Sequence, residues 1–233
     1  MGFCKKDEYF FTSNLEPFKV DKLAEKNTQQ REFWTGDFGT EYIERNKTIE
    51  TVNELYKKQT GITVEKIFEN FFEKIDRDCT IIELGCNVGL NLSVLNKIGF
   101  KNLTGLEINK SAFSIAKKNN PNISFINSSI EDFEVTKTFD LVYTAGVLIH
   151  INPDTLPLII KKIDKLSKKY IFGFEYYSDY LEEIKYRNNE STCWKQNFPE
   201  LIKKFNPSFK TIKQEKFQYK DENICDIAYL LEK

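Results

Sequence analysis

Glu83, Gly85 and Gly89 stand within one short run, Thr80-Ile81-Ile82-Glu83-Leu84-Gly85-Cys86-Asn87-Val88-Gly89-Leu90-Asn91, that has the chemistry of a nucleoside-binding turn. About twenty residues later, Leu103-Thr104-Gly105-Leu106 ends in a further carboxylate, Glu107. Glycines let a loop's backbone approach a ligand closely, and a carboxylate at a strand tip can accept two ribose hydroxyls. The spacing narrows the ligand. A dinucleotide fingerprint needs a second glycine two residues after the first, and here that position is Asn87. A phosphate-cradling loop would end in Gly-Lys-Ser/Thr, which the run lacks. The pattern Glu83-x-Gly85-x-x-x-Gly89 therefore suits a nucleoside without phosphates, such as S-adenosylmethionine.

These residues need strands and helices to hold them, and the chain supplies an alternation. Residues 79–84 read as a short buried strand, and a helix follows the glycine turn to Ile98, with Gly99 at its C-terminal end. Strands are expected at 103–107, 123–126, 139–143 and 169–174. Helices are expected at about 111–119, ended by Pro121, and after Asn152-Pro153-Asp154, where Leu156, Ile159, Ile160 and Ile163 share a face. Upstream, Val64, Ile67, Phe68, Phe71, Phe72 and Ile75 recur at helical spacing after a Thr63 cap, and a helix is expected at 48–58. Two closing strands near 209–219 and 225–231 flank Asp221-Glu222-Asn223. Such alternation implies a parallel sheet covered on both faces. Residues 1–47 read as polar and irregular around a knot of aromatics and glycines from Phe33 to Tyr42, and 176–197 as a polar loop insertion.

Composition fits an enzyme better than a nucleic-acid binder. The chain has 233 residues, 40% hydrophobic, and a net charge of -1, so one domain with an appendage is expected and no dedicated duplex-binding surface. Five scattered cysteines and a single histidine form no metal-ligand spacing. The opening MGFCKKDEYF does not read as a signal peptide, and no apolar run approaches a membrane span. The expectation is a cytoplasmic protein with reduced thiols, a small-molecule acceptor, and neither membrane nor nucleic acid as a partner.

The glycine turn resembles the first motif of class I S-adenosylmethionine-dependent methyltransferases. That resemblance implies an α/β, Rossmann-like seven-stranded methyltransferase sheet, mostly parallel with an antiparallel edge strand and a helical N-terminal lid. Residues 1–60 would be the lid and 61–233 the methyltransferase domain. In such sheets the ligand lies at the carboxyl ends of the strands, where the order reverses. Glu83, Gly85, Asn87, Gly89, Asn91 and Gly146 would then face the cofactor, with the helix start near Asn91 directed at its carboxylate end. Glu107 would hold the ribose, and Ser129-Ile130-Glu131 would stand where these enzymes clamp adenine, although Glu131-Asp132 also reads as solvated charge. From the lid, Tyr42 and Arg45 would face the cofactor.

His150, in the loop after the fourth strand, has the ordinary pKa of a general base for a hydroxyl, and it also reads as a packing residue on the cofactor wall. Asp140 lies at the opposite end of that strand and reads as structural. Phe33-Trp34-x-Gly36-x-Phe38-Gly39-x-x-Tyr42-x-x-Arg45-Asn46, Val147-Leu148-Ile149-His150-Ile151-Asn152-Pro153 and Glu175-Tyr176-Tyr177 with Tyr186-Arg187 look like the methylases associated with pseudaminic acid biosynthesis, a family of surface-sugar gene clusters. The resemblance covers roughly residues 30–205 and departs at Gln196-Asn197. It implies polysaccharide biosynthesis and an acceptor oxygen on an anionic or nucleotide-linked sugar. Tyr176, Tyr177 and Tyr186 would offer flat walls and hydroxyls, and Arg187 and Lys195 would supply donors to a carboxylate or phosphate. The rival readings are a methyltransferase acting on protein or RNA, and a non-catalytic cofactor-binding module.

Overall fold

The computed structural model describes residues 29–45, 48–220 and 223–233. Its sheet has seven strands in the order β3 (Ser124–Asn127), β2 (Asn102–Glu107), β1 (Thr80–Leu84), β4 (Phe139–Ala145), β5 (Ser167–Tyr176), β9 (Cys225–Glu232) and β8 (Lys210–Gln218). Strands β3 to β5 are mutually parallel, and β9 runs antiparallel to both β5 and β8. The expected mostly parallel sheet with an antiparallel closing pair is present. The strand order reverses between β1 and β4, which opens a crevice at their carboxyl ends.

Each strand alternates between two cores because successive side chains point to opposite faces. Ile81, Leu141, Tyr143, Phe172 and Leu230 pack with Phe68, Phe71 and Phe72 of helix Val64–Phe72. Ile82, Val142, Ile171, Tyr229 and Leu231 pack with Ile159, Ile160 and Ile163 of helix Leu156–Leu166. Thr63 caps the first of these helices by accepting from Lys66 N. Truncating the fully buried Phe68 to alanine would cost about 3–5 kcal/mol. At the amino end of the sheet, the Asp140 carboxylate accepts from the Thr80 backbone and hydroxyl at 2.8 and 2.7 Å, which pins β4 to β1 and holds that carboxyl below its usual range.

Three segments depart from the sequence expectation. Residues 29–35 and Asp37–Arg45 are helical, which agrees with the helical N-terminal segment the resemblance implies and departs from the irregular reading of 1–47. Their aromatic and glycine content gives them low intrinsic helix propensity, so tertiary packing decides. Ile43 is buried against Val88 and Ala112, and Gly39 lets the Trp34 carbonyl approach to where a Cβ would lie at 1.9 Å. The expectations for residues 1–28 lie outside the described residues. The insertion carries a small ribbon, β6 (Glu182–Glu183) with β7 (Trp194–Lys195), rather than loop alone. No expectation covers helix Phe198–Phe205, where Asn197 accepts from Glu200 N at 3.4 Å and Pro199 sits in the first turn. An Asn cap, an early proline and a glutamate three residues after the cap are a helix-start signature.

Candidate active site

The loop after β1 turns sharply because Gly85 and Gly89 take φ of +73° and +79°, with Asn87 at +48° between them. A Cβ on Gly85 would meet Val147 Cγ2 at 2.7 Å, so this glycine is also a contact point with the loop after β4. Glu107, at the tip of β2, accepts from Asn87 N through Oε2 and from Asn109 N through Oε1, each at 2.7 Å. It thereby ties the glycine loop to the next helix start. Burial raises its pKa, and the two backbone donors oppose that rise. A carboxylate has about four lone-pair positions, so acceptor capacity remains for hydroxyls.

Glu83 lies below this loop rather than in the cavity wall. Its Oε1 accepts from Asn91 Nδ2 at 2.8 Å. Its other oxygen is buried beside the Tyr143 hydroxyl without reaching hydrogen-bond geometry, and burial pushes this carboxyl up to about 8.

One cavity of about 360 Å³ runs over the carboxyl ends of β1, β2, β4 and β5 and the amino end of β9. Gly85 to Asn91 (except Gly89), Glu107, Ser129, Ile130, Glu131 and Gly146 line one part of it. The volume falls in the roughly 300–1,000 Å³ of small-molecule sites. Gly146 has φ of +65°, and a Cβ there would meet nothing within 4 Å, so its backbone faces open cavity. These features fit a nucleoside: glycine backbone to approach, an accepting carboxylate at a strand tip, and open space between. Ser129 Oγ accepts from Asp132 N at 3.0 Å and holds the third loop in place.

The other part of the cavity is aromatic and holds His150, Tyr176 and Tyr186. His150 forms the end of a short 3-10 turn, Leu148–His150. The buried Glu175 carboxylate accepts from Val147 N at 3.0 Å and fixes the start of that turn, and burial pushes its pKa up to about 7. The His150 ring sits between Trp34 and Tyr186, centroids 4.7 and 4.8 Å away. Its Nδ1 lies 2.7 Å from the Thr192 carbonyl, an acceptor only, so Nδ1 carries the proton and Nε2 the lone pair. Burial without a counter-charge lowers its pKa to about 4.

The N-terminal segment closes this side. Gln30 donates through Nε2 to the His150 carbonyl and accepts from Asn152 N through Oε1, at 2.6 and 2.8 Å. Arg31 pairs with Asp132, and Asn109 Nδ2 donates to the Trp34 carbonyl at 2.9 Å. Tyr42 lines the cavity with Trp34. Arg45 ends its helix, and its side chain lies outside what is described.

Tyr177, Arg187 and Lys195 do not line the cavity. Tyr177 lies under Lys216, with Nζ 3.5 Å from the ring centroid. Arg187 is exposed over the edge of Tyr186, and Lys195 pairs with Glu182 at 3.0 Å. Conversely, Asp226, Tyr56, Tyr219 and Gln30 line it without having been singled out from sequence. Asp226 had a visible signal: it is a carboxylate near the start of the otherwise apolar run Ile227-Ala228-Tyr229-Leu230-Leu231.

A loop suited to a nucleoside at the switch point of this strand order is the arrangement found in class I S-adenosylmethionine-dependent methyltransferases, and with the matches that follow it supports an enzyme that takes S-adenosylmethionine as cofactor. Residues 81–170 match the methyltransferase-domain family. The ubiquinone biosynthesis O-methyltransferase of Rickettsia conorii is 24% identical over 194 residues, spanning 72% of this chain and 66% of that one. Other such rickettsial relatives are matched over about half their length; that of Rickettsia akari is 28% identical over 50% of its own length. Magnesium protoporphyrin IX methyltransferase from Synechocystis, solved with bound S-adenosylmethionine, shares the fold at a TM-score of 0.66 and 12% identity, over 96% of this chain and 100% of that one. The N-terminal domain of EvdMO1, solved in the presence of S-adenosylhomocysteine and D-fucose, shares it at 0.56 and 15% identity, over 72% and 82%. Among the described residues no helix is long and apolar enough to cross a membrane, and no cluster of metal-ligating side chains occurs.

Proposed function

We propose that this enzyme methylates a hydroxyl of a small polar ring molecule, a sugar derivative, inside the single cavity. The observation that carries the proposal is the continuity of that cavity from Glu107 and the glycine loop to His150, Tyr176 and Tyr186. S-adenosylmethionine supplies an electrophilic methyl on a sulfonium. The chain's own residues do the rest. Glu107 takes the ribose hydroxyls; Gly85, Asn87 and Gly146 give close backbone, while Gly89, outside the cavity wall, only shapes the turn; and Ser129, Ile130 and Glu131 border the base. Glu83 holds Asn91 and the helix start beneath. His150 Nε2 is a neutral acceptor for a hydroxyl proton, and its low pKa keeps it unprotonated at neutral pH.

The N-terminal helices act as a lid within the 1–60 segment, set against the methyltransferase domain at 61–233. Trp34 and Tyr42 exclude water, and Gln30 latches the lid to the His150 turn.

The sugar reading is supported by the resemblance to the pseudaminic acid-associated methylases and by the tyrosine-rich wall. An anionic or nucleotide portion would sit at the mouth, where Arg187 is exposed beside Tyr186, with Lys195 in the flanking ribbon and Tyr177 just after β5. A second reading, a phenolic ring, is favoured by the aromatic walls and by the name of the rickettsial relatives. The test is transfer of labelled methyl to UDP-hexoses and to catechol, side by side. Turnover of a UDP-hexose supports the sugar reading, turnover of catechol alone replaces it with the phenolic one, and turnover of neither rejects both.

A further inference from the structure

One wall of the cavity carries a polar group on β9, away from the glycine loop and Glu107. Asp226, at the start of β9, is 5% exposed and pairs across the sheet with Tyr176. It lines the cavity together with Tyr56, from helix Ile49–Thr60, and Tyr219, just beyond β8. The Tyr219 hydroxyl donates to Asp226 Oδ2 at 3.1 Å. The Tyr56 hydroxyl is buried beside the same carboxyl, near enough to act on its charge but short of hydrogen-bond geometry. Among the described residues no Lys or Arg pairs with Asp226.

A buried carboxyl without a cation is costly, and a buried hydroxyl that falls short of its partner adds to that cost. The burial pushes Asp226 up to about 7, so the group changes charge easily near neutral pH.

We infer that Asp226, Tyr56 and Tyr219 form a subsite for the neutral, hydroxyl-bearing ring of the acceptor. The carboxylate accepts from ring hydroxyls, and the Tyr56 hydroxyl supplies a donor to a ring oxygen. The walls formed by Phe174 and Tyr176 give the ring a flat surface. The subsite rejects a ring that itself carries a carboxylate, since two buried like charges repel. The inference deepens the sugar reading above and rests on it: the ring lies at Asp226, and any anionic portion lies outside.

Saturation-transfer NMR on the protein loaded with S-adenosylhomocysteine tests this. The probes are the methyl glycosides of glucose, galactose, mannose and fucose, and methyl glucuronide. At least one neutral glycoside is expected to bind, methyl glucuronide more weakly, and Asp226→Asn to weaken the glycoside at least about tenfold. Tyr56→Phe should weaken it less. Calorimetry with S-adenosylhomocysteine should be unchanged within about twofold in both variants, which also certifies their fold. Absence of any neutral glycoside signal in the native protein overturns the inference. So does glycoside binding that survives Asp226→Asn, or glucuronide binding more tightly than glucoside. Failure of S-adenosylhomocysteine to bind the native protein would instead strike the cofactor reading, while Asp226-dependent glycoside signals would leave this subsite standing.

Discussion

Replacing Glu107 by alanine separates two jobs that one carboxylate performs. In the free protein it accepts from Asn87 N and Asn109 N, both at 2.7 Å, and so holds the cofactor loop against the next helix start. Losing it orphans two donors, each worth about 1–3 kcal/mol if left unpaired. Part of that loss is offset, because a buried carboxylate with a raised pKa carries a desolvation cost that alanine does not. The net effect on stability should be about 1–3 kcal/mol, and the melting midpoint should fall by about 2–4 °C per kcal/mol. The cofactor loses two charge-assisted hydrogen bonds, about 3 kcal/mol or more, on the order of a hundredfold in affinity. Glu107→Gln keeps the volume but turns an amide NH₂ toward one of the two backbone donors, so it should fall between native and alanine. Calorimetry with S-adenosylhomocysteine and a thermal melt of the same samples read the two effects. A lowered midpoint with affinity within threefold of native would reduce Glu107 to a loop anchor and refute its contact with ribose.

Two glycines should respond differently to alanine: both take positive φ and would carry about 1 kcal/mol of backbone strain, but Gly85→Ala also meets Val147 at 2.7 Å and should lower the melting midpoint further, whereas Gly146→Ala points into open cavity and should mainly cost cofactor affinity. Glu83 at about 8 and Glu175 and Asp226 at about 7 keep protons in the folded state that the unfolded chain has already released, so their contribution is full at low pH and lost as pH rises through those values. His150, lowered from 6.5 to about 4, acts in the opposite sense only below its ordinary pKa, so the melting midpoint of the free protein should fall from pH 6.5 to 8; a rise over that window would contradict the burial of these carboxyls. His150→Ala should slow methyl transfer about a hundredfold or more at saturating substrates, with S-adenosylhomocysteine affinity within about threefold, and an unchanged rate would leave His150 as the partner of Trp34 and Tyr186 alone.

Much of the sheet was readable because local pattern and global fold agree there. Ile81 and Ile82 face opposite cores, and the glycine turn, Glu107 and Pro121 punctuate the alternation. The helices at 29–45 were expected only through the family resemblance and not from the local pattern, because Gly36, Gly39 and the aromatics oppose helix locally while contacts with Asn109, Val88 and Ala112 favour it from a distance. On the acceptor side, residue type was visible and placement was not. Arg187 and Lys195 have the chemistry of anion donors, but exposure of one and the Glu182 partner of the other emerge only from the ribbon's path. Asp226 joins Tyr56 across most of the chain's length, and no spacing rule connects residues brought together by a sheet edge and a helix from the lid side.

The most direct test is a crystal structure with S-adenosylhomocysteine bound. The account predicts ribose hydroxyls on Glu107, the base beside Ser129 and Ile130, and the sulfur facing the part of the cavity lined by His150, Tyr176 and Asp226. A ligand whose sulfur faces a closed wall, or whose ribose lies away from Glu107, would contradict the claim that one chamber holds both cofactor and acceptor.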